Sequence, residues 1–173
     1  MRKFYCLLLI VLLCFPSLAL GEENLLKNAD FEAADAGLPA DWFEDAYYMS
    51  TTASSFALET DGYSGSCIRV TNLTENDARF MQTVSVEPDT TYKITCLCRA
   101  EGIPEGSIGA TISIKDTFSY SESLTDTAGE WVPLTLYGQT GADQTTMTVY
   151  ARVGGYGYLN TGTAWFDSFE MVK

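Results

Sequence analysis

The chain has 173 residues, with 23 Asp and Glu against 10 Lys and Arg, no His, and a formal charge of −13. Without His, the Ser-His-Asp and Cys-His nucleophile systems, His-bearing zinc sites and H-E-x-x-H proteases are excluded. A charge of −13 with no offsetting Lys/Arg cluster repels phosphate backbones, so nucleic acid is not an expected partner.

The first element is a leader. Met1-Arg2-Lys3 is basic, Phe4 to Phe15 is an apolar run of 12 residues, and Ala19-Leu20-Gly21 puts small residues at −3 and −1. This is the pattern of a secretory signal peptide over residues 1–21, cut before Glu22. The run falls short of the roughly 18 apolar residues of a membrane span, so no anchor is expected after cleavage. The protein is expected to be secreted, with residues 22–173 as one domain.

No sustained helical period follows, and alternation takes its place. Thr91 to Arg99 puts Tyr92, Ile94, Cys96 and Cys98 on one side. Ser107 to Lys115 sets Ile108, Ala110, Ile112 and Ile114 against Gly109, Thr111, Ser113 and Lys115. Thr145 to Val153 turns Met147, Val149, Ala151 and Val153 inward and Thr146, Thr148, Tyr150 and Arg152 outward. Period two with β-branched residues predicts half-buried antiparallel strands. Turn signals punctuate them at Asp61-Gly62, Glu87-Pro88-Asp89, Gly102-Ile103-Pro104, Ala128-Gly129 and Gly154-Gly155. The expected fold is all-β: a two-sheet antiparallel β-sandwich of roughly eight or more strands, a jelly roll.

Cleavage of the leader leaves Cys67, Cys96 and Cys98, an odd number with at least one thiol unpaired within the chain. Cys96 and Cys98 share strand parity and read as small core hydrophobes, while spacing leaves open a bridge from Cys67 to either. One Cys-x-Cys pair with a single distant Cys lacks zinc spacing.

Three ordered patches carry a resemblance. They are Asn24-Leu25-Leu26-Lys27-Asn28-Ala29-Asp30-Phe31-Glu32 with Leu38-Pro39 and Trp42; Tyr63-Ser64-Gly65-Ser66-Cys67-Ile68-Arg69-Val70 with Gln82 to Pro88 and Thr91-Tyr92; and Gly129-Glu130-Trp131 with Thr163 to Met171. Together they resemble carbohydrate-binding modules of the family 4/9/22 type, the CenC-like group. The resemblance implies a jelly roll of galactose-binding-domain-like form that binds polysaccharide or cell-wall glycan chains without catalysis of its own, often as an accessory to glycoside hydrolases; the protein is expected to be a monomer. It also implies a structural calcium joining the N-terminal segment, the loop before the "YSG" strand and the Asp of the last strand. Two departures stand out: the second Asp usual after Asp167 is Ser168, and Cys96 and Cys98 fill positions that are often bulky and apolar.

Calcium takes six to eight oxygens in irregular geometry, so carboxylates mixed with carbonyls suffice. Glu32 and Asp167 are the expected side-chain ligands, with Asp30 and Asp61 beside them and the carbonyls of Thr60 and Tyr63 completing the shell. The same acids also read as solvated turn residues, Asp61 as an Asx-turn former. Most aromatics belong to the core, with Phe31, Trp42, Tyr92, Trp131 and Phe166 as structural members of the family-like pattern. Sugar binding asks for flat exposed rings with polar neighbours. Parity selects Tyr150 and Arg152; Phe118 and Tyr120 follow the Ile112/Ile114 strand; Arg79 and Phe80 begin the strand that ends in Gln82, whose amide is a candidate hydrogen-bonding group for hydroxyls. Tyr156 and Tyr158 in a Gly-rich loop and the pair Tyr47-Tyr48 are further candidates, with Lys115 as a hydrogen-bonding group. Two other readings compete: a structural or adhesive jelly roll that has lost the sugar cleft, and a small glycosidase using two of the many acids, for which no sequence run marks a pair.

Overall fold

The structure, a computed structural model, describes residues 23–173; the expected signal peptide lies outside the described residues. The strands are β1 (Ala34–Asp35), β2 (Leu38–Pro39), β3 (Phe43–Ala46), β4 (Ser54–Glu59), β5 (Cys67–Asn76), β6 (Ala78–Ser85), β7 (Thr91–Glu101), β8 (Ala110–Ile114), β9 (Val132–Gln139), β10 (Thr146–Val153) and β11 (Asn160–Val172). A four-stranded sheet runs β3-β6-β10-β8, a five-stranded sheet runs β4-β5-β11-β7-β9, and β1 and β2 form a small ribbon. All paired neighbours are antiparallel. From β6 onward each strand lies in the opposite sheet to the one before it, the two-layer crossing pattern of a jelly roll.

Alternation sorts the faces as expected. Tyr92, Ile94, Cys96 and Cys98 of β7 point into the sandwich, as do Met147, Val149, Ala151 and Val153 of β10. They meet Ile68, Val70, Phe80, Ile112, Leu134 and Phe166 in one core. Full burial of each large apolar side chain is worth about 1.5–3 kcal/mol. Phe31, Trp42 and Phe169 form an aromatic triangle with centroids 5.3, 5.1 and 6.0 Å apart, which seats the N-terminal segment on β11. The Asn24 side chain fastens the same segment, donating to Phe169 O at 2.9 Å and accepting from the Met171 N–H at 2.9 Å.

The strand expected over Ser107–Lys115 is shorter, Ala110–Ile114, because Gly109 gives its N–H to Ser123 Oγ instead of a ladder partner. Every residue of β8 is buried, Thr111 and Ser113 included, since loops cover their outward face. Trp131 is not core. It stands at the entry to β9, half-buried, with the Arg99 guanidinium 5.1 Å from its ring centroid. The three thiols are free and buried. Burial, then the charges of Asp61 and Asp167, pushes the Cys67 thiol up to about 12, and burial raises Cys96 and Cys98 as well.

Candidate functional site

A cleft crosses the outer face of the four-stranded sheet. Strand pairing lines up Asp45, Arg79, Arg152 and Thr111 as one row and Phe43, Met81, Tyr150 and Ser113 as the next. Arginines from adjacent strands would repel each other, and two aspartates hold them. Asp77 accepts Arg152 Nε at 2.7 Å and also its Nη2, while Arg79 donates Nε to Asp45 at 2.7 Å and Nη1 to Asp77 at 3.0 Å. Burial alone would lower the Arg79 pKa, but Asp77 and Asp45 outweigh it and raise the value. The result is a rigid polar floor of near-neutral charge on a strongly acidic protein.

A cavity of about 780 Å³ lies over this floor, reached by Tyr47, Lys115, Phe118 and Tyr156. A second cavity of about 260 Å³ adjoins it on the β8 side. Phe118 follows β8 and Tyr156 follows β10; their rings meet edge to face, 5.7 Å between centroids at 84°. They are 83% and 77% exposed, so each keeps most of its surface open to solvent. Tyr47, at 75%, rises from the β3 side. Apolar ring faces beside fixed hydrogen-bonding groups suit a ligand that is polar at its edges and apolar on its faces.

The candidate residues divide. Phe118, Tyr156, Tyr47, Lys115, Arg79 and Arg152 all line the larger cavity, and Tyr120 and Tyr158 line the smaller. Tyr150 lies on the floor but is only 6% exposed, with Arg79 and Arg152 at 4.9 and 5.8 Å from its ring centroid. It braces the arginines and is not an open platform; burial raises its hydroxyl pKa. Phe80 is fully buried against Phe56 and cannot reach the cleft. Gln82 is buried too: its Oε1 accepts the Lys27 N–H at 2.7 Å and its Nε2 donates to Lys27 O at 2.9 Å. That amide pins the N-terminal segment and, on the inward side of β6, faces away from the cleft. Asp45 and Asp77, which set the floor, were not among the sequence candidates; Asp77 follows the run of β5 with only its parity beside Arg79 as a signal.

The expected calcium ligands also divide. Glu32 and Asp167 come to the same loop, 60–66: Glu32 Oε1 accepts the Ser66 N–H at 2.6 Å and Asp167 Oδ2 accepts the Ser64 N–H at 2.9 Å. A register shift in β11, with Ser168 at φ 53°, buries Asp167 completely while the strand resumes inward with Phe169. A Cβ on Gly62 would lie 2.6 Å from Ser66 O and 2.8 Å from Asp167 Oδ2, so those two oxygens crowd one glycine-lined cradle. Asp61 turns away to Arg99 Nη2, 3.0 Å distant, and Asp30 is exposed at the surface, as are Thr60 and Tyr63. Among the described residues no three acidic, Cys or His side chains gather as a metal cluster. The oxygens this corner gathers are those of Glu32, Asp167 and Ser66 O, while the Asp61 carboxylate is paired with Arg99.

A jelly-roll sandwich with a ring-walled cleft across one sheet is the class these features define. The family model described as Carbohydrate binding domain matches residues 23–157, and the chain belongs to that family. No curated protein matches the chain. Among solved structures, TmCBM61 in complex with β-1,4-galactotriose is similar at 15% identity and TM-score 0.57, covering 87% of this chain and 99% of that one. A structure titled "CBM4 structure and function" is similar at 15% identity and TM-score 0.54, covering 84% and 97%. The CBM22-1 xylan-binding domain from Paenibacillus barcinonensis Xyn10C matches at 15% identity and TM-score 0.54, covering 87% and 94%. At these identities the three show a shared fold.

Proposed function

We propose that the chain is a secreted, non-catalytic glycan-binding module whose site is the cleft on the four-stranded sheet. The observation that carries this is the Phe118–Tyr156 pair, two exposed rings standing over a polar floor in a member of a carbohydrate-binding family. Phe118, Tyr156 and Tyr47 offer stacking faces for pyranose rings, and Lys115 and the edges of Arg79 and Arg152 donate to hydroxyls. Water competes for such exposed contacts, so affinity is expected to be modest. The β-1,4-galactotriose and xylan named for two structural neighbours make β-1,4-linked polymers the first ligands to try. Retarded migration in native gels containing xylan, galactan or β-glucan supports the reading; unretarded migration through all of them, with calcium present, removes it.

A structural calcium at the Glu32/Asp167 corner belongs to the same proposal. The ion would tie β11 and the N-terminal segment to loop 60–66 through oxygens already crowded there. Export through the leader at residues 1–21 completes it, and a mature N-terminus at Glu22 is the expected result of sequencing the secreted protein.

A further inference from the structure

The cleft continues past the Phe118–Tyr156 contact into the smaller cavity, which shares Thr117, Phe118, Arg152, Gly155 and Tyr156 with the larger one. Both of its walls are fixed by backbone bonds. On one side, segment 119–124 folds back along β8: Leu124 and Ala110 exchange hydrogen bonds at 3.0 and 2.8 Å, and the Ser121 N–H donates to Ile112 O at 2.9 Å. On the other, Gly155 and Tyr158 exchange bonds at 2.9 and 3.0 Å, and the Gly154 N–H donates to Gly109 O at 3.1 Å.

Two observations point to an occupant. Thr111 and Ser113, 0% and 3% exposed, line this cavity, and neither hydroxyl has a hydrogen-bond partner among the described residues. Buried hydroxyls left unpaired are rare, because each has given up water for nothing. The lining also contains no carboxylate, whereas Asp45, Asp77 and Asp116 line the larger cavity. Its polar groups are Ser, Thr and Tyr hydroxyls with Arg152, whose Nε and Nη2 are committed to Asp77. Hydroxyls donate and accept at once, as sugar hydroxyls do, and they do not select an ion. At about 260 Å³ the space is smaller than the usual range of about 300–1,000 Å³ for ligand pockets, so it suits one ring and not a run of them.

We propose that this cavity is an end-reading subsite: it takes the single terminal pyranose of a glycan chain or branch, with Thr111 and Ser113 bonding its hydroxyls. The chain enters from the larger cavity past Phe118 and Tyr156 and stops there. This rests on the reading of the cleft as a glycan site.

The test titrates the intact mature protein with xylohexaose, galactotriose, xylan and galactan by calorimetry. Thr111→Val, Ser113→Ala and their combination are expected to bind at least about tenfold more weakly with no fall in Tm, while Thr111→Ser keeps wild-type affinity. Stoichiometry is expected to stay at one protein per chain end as the linear polymer lengthens. Wild-type affinity in the double variant, or a stoichiometry that grows with chain length, overturns the subsite. If Phe118→Ala removes binding while the Thr111 and Ser113 variants do not weaken it, only the subsite falls. If the wild-type protein binds none of the four ligands nor any member of a glycan array, the glycan reading falls with it.

Discussion

Gln82 shows how one polar side chain is used inside a sandwich. It occupies an inward position of β6, where an apolar residue would suffice, because the Lys27 N–H has no other acceptor, whereas Lys27 O also accepts from Trp42 Nε1 at 3.2 Å. Gln82→Leu is therefore expected to cost about 1–3 kcal/mol for the stranded Lys27 N–H, read as a lower urea midpoint, with little effect on the cleft. Asp77 makes the parallel case on the outer face, where it neutralises the buried Arg152. Asp77→Ala leaves that charge uncompensated and is expected to destabilise by about 3–5 kcal/mol in denaturant melts. The thiols give a pH dependence. Folding raises Cys67 from 9.0 to about 12 and raises Cys96 and Cys98 too. Their contribution is whole below the unfolded value and declines as pH climbs from 9 toward 12, because only the unfolded chain releases those protons. A urea midpoint that falls between pH 8.5 and 11, and falls less in Cys67→Ala, is the expected result.

Among the elements, the bulge in β11 and loop 60–66 act as one unit. Ser168 takes a left-handed backbone, which lets Asp167 stay buried against the loop while Phe169 joins the aromatic triangle. Gly62 is required where the two meet, since its Cβ would overlap Ser66 O and Asp167 Oδ2. Gly62→Ala is expected to lower Tm by several degrees and to remove any response to calcium, whereas Gly37→Ala meets no atom within 4 Å and should pay only the milder strain of its φ of 85°. Sequence parity reads these elements well where it is applied strictly. In β6 the inward set Ala78, Phe80, Gln82 and Val84 alternates with Arg79, Met81 and Thr83, so Arg79 and Phe80 cannot share the cleft. The same rule puts Thr111, Ser113 and Lys115 outward, but it gives no sign that segment 119–124 pairs along the edge of β8 and helps enclose the first two. Asp77 and Asp45 are illegible for another reason: beside its near neighbour Arg79, Asp77 pairs with Arg152, 75 residues away, and Asp45 pairs with Arg79, 34 residues away, and no local period encodes those long pairings. Trp131 belongs to the structural pattern that the resemblance implies, but β9 begins one residue after it, and its half-buried ring packs against Arg99 and not in the core.

Over the whole molecule the two sheets divide the work. The five-stranded sheet and the N-terminal segment form the fastened side, carrying the Asn24 clamp, the aromatic triangle and the Glu32/Asp167 corner. The four-stranded sheet carries the open side. Calcium at the corner would also offset part of a formal charge of −13, so chelation is expected to lower Tm most at low salt, where screening is weakest. A melting curve unchanged by chelator at low ionic strength removes the ion from the account. The cleft as glycan site is tested most directly by calorimetric titration of one soluble β-1,4-linked glycan into three proteins: wild type, Phe118→Ala/Tyr156→Ala, and Tyr137→Ala, whose exposed ring lies on β9 of the opposite sheet. The expected result is at least about tenfold weaker binding in the double variant, with Tm and the Tyr137→Ala affinity unchanged. Equal binding by the double variant, or a loss confined to Tyr137→Ala, contradicts it.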